Sequence, residues 1–94
     1  MDVAFEISHE EDEHRYALRV DSEVAAIAEY EPVADRLNFH HTYTEPAFRG
    51  RGLAAKVVRA ALDDVREKGA KIVATCWFVA DFVKANPEYA DLVS

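Results

Sequence analysis

The 94-residue chain holds a single cysteine, Cys76, so no internal disulfide can staple it, and a reducing compartment suits it. Basic side chains are scarce: eleven lysines and arginines against eighteen acids leave a formal charge of −7. That balance argues against a nucleic-acid partner, whose binding is dominated by cationic contacts to phosphates. No apolar run approaches the length of a membrane span, and Met1 to Glu6 carries no basic-then-apolar leader, so the expected location is the cytoplasm, away from membranes. Repeats, linkers and low-complexity segments are missing as well. The expectation is one small domain over residues 1–94. Apolar residues, by contrast, make up half of the chain, enough for a core of its own. The acidic surplus favours a cationic partner such as an amine, although it serves solubility equally well.

Period-two alternation predicts a first strand with Val3, Phe5 and Ile7 buried, ended by the self-repelling cluster Glu10-Glu11-Asp12-Glu13 at a solvated hairpin tip. Tyr16, Leu18 and Val20 form the buried set of a second strand. Asp21-Ser22 turns the chain into a third, Glu23 to Glu31, which Pro32 breaks because proline lacks the ladder donor. The fourth runs from Arg36 to Thr44, with Leu37, Phe39, His41 and Tyr43 on one face and Asn38, His40, Thr42 and Thr44 on the other. Leu53, Val57, Val58, Ala61, Leu62 and Val65 recur at spacings of three and four, the stripe of a helix lying on the sheet, and Gly69 stops it. Lys71 to Thr75 is then a fully buried fifth strand, parallel to the fourth because a strand–helix–strand passage of this length crosses over right-handed. Phe78 to Ala85 is a further helix, and Asn86 caps a last short one with Pro87 at its first position.

The junction Phe48-Arg49-Gly50-Arg51-Gly52-Leu53-Ala54 stands out. Two glycines between two arginines, at a strand-to-helix turn, let backbone approach a ligand where unpaired helix amides and the positive dipole end favour an anion. It is not a Walker loop, since no Lys-Ser/Thr pair follows, nor a dinucleotide fingerprint, since a third glycine is absent. Arg49-x-x-Gly52-x-Ala54 resembles the Gln/Arg-x-x-Gly-x-Gly/Ala signature of the GNAT superfamily of N-acetyltransferases. The flanks His41-Thr42, Thr75-Cys76-Trp77-Phe78 and Asn86-Pro87-Glu88-Tyr89 look like its small NATD-like branch.

This resemblance implies a compact α+β GNAT-like fold: a four-strand antiparallel meander, a fifth strand parallel to the fourth, a central helix and one or two short C-terminal helices. It also implies acetyl-CoA as cosubstrate, a primary amine as acceptor and no metal. The pantetheine arm would enter between splayed strands four and five along the backbone of His41, Thr42 and Tyr43. The amides of Arg49, Gly50, Arg51, Gly52, Leu53 and Ala54 would hold the pyrophosphate. Cys76 is the leading catalytic candidate, as a nucleophile carrying acetyl or as the acid that protonates the departing thiolate, against the plain alternative of a small buried residue. His41 is a candidate base. The superfamily's tyrosine acid is replaced by Phe78 and Phe82, which leaves Cys76 or Tyr89, the latter also a plausible core anchor. Trp77, Phe78 and Phe82 are expected to pack. Helices between the first strands and strands after the fifth are lacking, so one sheet face is uncovered, either as the surface of a weak homodimer or as a groove for a protein tail; the protein is otherwise monomeric. The alternative function is a non-catalytic acyl-CoA-binding module acting through a protein partner.

Overall fold

Tyr16, Leu18 and Val20 on strand β2 (Arg15–Val20) and Ala26, Ala28 and Tyr30 on β3 (Glu23–Val33) turn to one face, where all six are buried. The computed structural model describes residues 4–93, and over these the chain builds one five-stranded sheet in the order β1-β2-β3-β4-β5. β1 (Glu6–Glu10), β2, β3 and β4 (Arg36–Thr44) form the antiparallel meander. β5 (Lys71–Ala74) lies parallel to β4, with Leu37 opposite Ile72 and Phe39 opposite Ala74. The crossover is α1 (Leu53–Glu67), and its buried residues are the six that the helical spacing singles out. Removing a leucine such as Leu62 from water is worth about 1.5–3 kcal/mol, so this stripe outweighs the helix's own marginal propensity. Gly69, at φ +71°, ends the passage.

α2 (Trp77–Ala85) and a 3-10 stretch, Pro87–Leu92, bury Val79, Phe82, Tyr89 and Leu92 in the same core as α1. Among the described residues, all helical packing therefore falls on one side of the sheet, and the other side carries no helix. Among the described residues, no helix is long and apolar enough to cross a membrane.

The structure corrects several expectations. Val3 lies outside the described residues, Phe5 is exposed, and β1 instead reaches Glu10, whose carboxylate takes Arg15 at 2.7 Å and Arg19 at 2.6 Å rather than repelling its neighbours. Pro32 does not end β3: on the β2 side the last bond is Tyr30 N–H to the His14 carbonyl (2.9 Å), so at Pro32 the strand serves only β4 and tolerates a missing donor on its free side. β5 is an edge strand in which only Ile72 is fully buried. Asn86 makes no cap; its Nδ2 donates back to the Phe82 carbonyl at 2.8 Å. Trp77 stays out of the core, 74 % exposed, and meets only the Phe78 ring, edge-on at 5.9 Å.

A polar cluster fastens β1 to the end of α1. Lys68 Nζ donates to His9 Nδ1 (3.0 Å) and to Asp64 (2.8 Å), while the Tyr16 hydroxyl donates to Asp64 (2.6 Å). With Nδ1 accepting, the His9 Nε2 carries the hydrogen toward the Tyr30 hydroxyl, and the ring stacks on Tyr16 at 4.1 Å. Burial first, and then the Lys68 ammonium, hold the His9 pKa below that of free imidazole, with Asp64 and Glu11 opposing. The unfolded chain then binds this proton more tightly than the folded one. The contribution of His9 to stability is whole above about pH 6.5 and is lost as pH falls through the folded pKa. Between about pH 8 and pH 5.5, the melting temperature of the wild type is expected to fall further than that of His9→Gln; parallel curves would show that this imidazole does not govern acid stability.

Candidate functional site

The loop between β4 and α1 is shaped by its glycines. Gly50 and Gly52 sit at φ +83° and +70°, a region costly for other residues, and a Cβ at either would meet no atom within 4 Å. The first helical bond is Lys56 N–H to the Gly52 carbonyl (3.3 Å). From Gly50 to Ala55, no backbone amide has an acceptor among the described residues. No acid stands in the first turn of α1 to neutralise its positive end. Gly50, Gly52, Leu53, Ala54 and Ala55 line a groove of about 300 Å³ whose walls include Thr44, Phe48 and Phe78. Leu53 itself is buried in the core. Arg49 Nε donates to the Thr44 carbonyl (3.2 Å), tying the loop to the end of β4, and the Arg51 guanidinium lies 5.6 Å over the Phe48 ring.

Strands β4 and β5 part at Phe39. The parallel register ends there, and the Phe39 carbonyl accepts both Thr75 N–H (3.2 Å) and Cys76 N–H (3.0 Å). From His40 to Thr44, β4 has β3 on one side and no strand on the other. At the same point β4 bulges: Phe39 faces Tyr30 and His41 faces Glu29, leaving His40 without a partner. The extra residue reverses the side-chain alternation beyond it. Thr42 and Thr44, opposite buried Ala28 and Ala26, turn to the helix side, whereas His41 and Tyr43 leave the face of Phe39 and stand exposed on the bare side, stacked at 6.4 Å. This overturns the expected grouping of Leu37, Phe39, His41 and Tyr43.

Cys76 sits at the root of this fork, buried, its sulfur 3.7 Å from the Thr42 hydroxyl. Thr44 is two residues further along the same face of β4, about 7 Å on, and it already lines the groove under the loop. Thr44, at the groove, and Thr42, at the thiol, are thus successive positions on one face of β4. His41 is elsewhere: on the opposite face, its Nε2 lies 4.0 Å from Glu29 Oε1. Fork and bulge bring Cys76 and Thr42 together and set His41 apart from both.

Tyr89 is an anchor. Its hydroxyl donates to Asp63 (2.6 Å) and accepts from Arg59 (3.1 Å), and Arg59 and Arg66 lie over its ring. Burial, and then the bond to Asp63, push its pKa up. Sequence reasoning passed over Glu29, which the β3–β4 register sets opposite His41, and the Ala55 amide, whose adjacency to the motif was the available signal. Among the described residues no group of three or more His, Cys, Asp or Glu is placed to hold a metal.

Residues 15–92 match the family model described as GCN5-related N-acetyl-transferase. The chain is 35 % identical over 83 residues to Protein NATD1 of Mus musculus, covering 86 % of this chain and 76 % of that one. To Protein NATD1 of Homo sapiens it is 35 % identical over 83 residues, covering 86 % and 74 %. Among solved structures, a GCN5-like protein from Staphylococcus aureus superposes with a TM-score of 0.66 at 22 % identity, covering 98 % of this chain and 88 % of that one. The ribosomal-protein-S18-alanine N-acetyltransferase from Escherichia coli does so at 0.59 and 18 %, covering 64 % and 39 %. The likeness to the two structures concerns fold; the family match spans loop, fork and C-terminal helices alike, and the chain belongs to the GCN5-related N-acetyltransferase family.

Proposed function

We propose that this protein binds acetyl-CoA and transfers its acetyl group to a primary amine. The observation that carries the reading is the run of amides from Gly50 to Ala55, without acceptors among the described residues and beside a groove walled by Thr44, two residues along β4 from the Thr42 that meets the buried thiol of Cys76. Those amides, in a helix N-terminus free of acids, suit a diphosphate. Arg49 and Arg51 add positive charge beside it. The edge of β4 at His41, Thr42 and Tyr43 that faces away from β3 suits the amide-bearing arm of the cosubstrate, which would lie in the fork as a strand would.

A nucleophilic cysteine needs a base within hydrogen-bond reach. Around Cys76 the hydrogen-bonding side chain is the Thr42 hydroxyl, and His41 is across the sheet. The arrangement favours Cys76 as general acid. In the balanced step, His41 removes a proton from the acceptor ammonium, the amine nitrogen bonds the acetyl carbonyl carbon and the carbon–sulfur bond breaks. The departing sulfur takes the Cys76 proton, the amine nitrogen sheds its second proton to solvent, and exchange with solvent resets both side chains.

Two measurements on the wild type test this. Acetyl-CoA at about a hundredfold over its dissociation constant should stabilise the fold by roughly 2.7 kcal/mol, and aliphatic primary amines should then release CoA. Absence of any thermal shift overturns the reading. A shift without CoA release across a broad amine panel points instead to an acyl-CoA-binding module.

A further inference from the structure

The bare face of the sheet is not uniformly charged. Toward β1 its charges are matched: Glu10 bridges Arg15 and Arg19. Toward β4 they are not. Among the described residues, neither Glu29 nor Glu31 has a lysine or arginine nitrogen within 4.0 Å: Arg15 faces Glu29 across the strands but gives its guanidinium to Glu10 (2.7 Å), and the titratable group that reaches Glu29 is His41. This spot lies one strand from the fork: Glu29 on β3 faces His41 on β4, two residues past the point where β5 departs.

Two acceptors 4.0 Å apart can both bind one nitrogen. An ammonium placed about 2.9 Å from Glu29 Oε1 and from His41 Nε2 has its two hydrogen bonds at roughly a right angle, within reach of tetrahedral N–H directions. Both side chains are solvent-accessible on a face that no helix covers, so a cationic group can enter without displacing protein. Cys76 lies on the opposite face of the sheet, past the other edge of β4 where β5 departs. An amine seated between Glu29 and His41 would approach a thioester in the fork from the bare side, while the leaving sulfur departs toward the thiol.

We propose that Glu29 and His41 together form the seat of the acceptor's ammonium group, with Glu29 selecting positively charged aliphatic amines, such as a lysine side chain or a polyamine, over uncharged ones. This rests on the transferase reading above. Glu29 is a positioning and specificity residue: it holds the charge, and His41 takes the proton. The glutamate of one strand thereby supplies the substrate preference of its neighbour's histidine, which also accounts for an acidic residue left without a cation beside the fork.

The test is steady-state kinetics of wild type, Glu29→Gln and Glu29→Asp with two acceptors at neutral pH: spermidine, which is cationic, and an arylamine, which is uncharged. Loss of one charge-assisted hydrogen bond should raise the KM for spermidine about tenfold to a hundredfold in Glu29→Gln. The KM for the arylamine and the thermal shift with acetyl-CoA should not change, and Glu29→Asp should recover part of the loss. Equal effects on both acceptors, or none on spermidine, overturn the seat while leaving the transferase reading intact. No CoA release by the wild type with either acceptor removes the transferase reading and the seat with it.

Discussion

Gly52→Asp is expected to abolish the stabilisation that acetyl-CoA confers while leaving a folded protein. Gly52 stands at φ +70°, and aspartate is among the residues that tolerate this region, at a cost of about 1–2 kcal/mol. Its Cβ meets nothing within 4 Å, so no steric clash adds to that cost. The carboxylate would project beside the amides of Gly50 to Ala55, where a diphosphate is proposed to bind, and like charge there opposes the anion directly. For a chain of this size the wild-type shift at about a hundredfold over the dissociation constant is on the order of 10 °C; the variant should show almost none. Differential scanning fluorimetry with and without ligand measures both quantities. An undiminished shift in Gly52→Asp would place the anion elsewhere.

Cys76→Ala should slow CoA release by about a hundredfold to ten-thousandfold, the range for a positioned general acid. Binding should survive, because the thiol is not part of the loop that holds the phosphates. Removing one sulfur from a buried position costs little packing, and the neighbouring Thr42 hydroxyl retains access to solvent. The wild type, with Cys76→Ala as the control, decides between the two chemical roles. Incubated with acetyl-CoA and no amine, an acid-catalysed enzyme stays unmodified, whereas a nucleophilic one gains one acetyl group by mass spectrometry. Equal rates of CoA release from wild type and Cys76→Ala would take the cysteine out of the chemistry altogether.

The parts of the protein legible in its sequence are those whose physics is local. The stripe from Leu53 to Val65 needs only the 3.6-residue period, and every residue in it is buried. Gly50, Gly52 and Gly69 mark positive φ because few other residues tolerate it. The parallel placement of β5 follows from the length of the crossover between it and β4. Alternation failed where a bulge interrupted it: one unpaired residue, His40, moved His41 and Tyr43 to the opposite face, and the chain there carries no glycine or proline to announce it. Pro32 misled for the converse reason. A proline ends a strand only if its missing donor is needed, and β2 is too short to need it.

By itself, then, the sequence determined the order of elements, the anion-ready turn and the family signature, since backbone conformation, helix periodicity and crossover length are set by residues close in the chain. Only the tertiary structure decided which side chains meet across the fork: Cys76 with Thr42, 34 positions apart, and His41 with Glu29 on the other side of the sheet. Those pairings depend on strand register. A single inserted residue shifts register by one and exchanges the two faces, with no local cost that the sequence would betray.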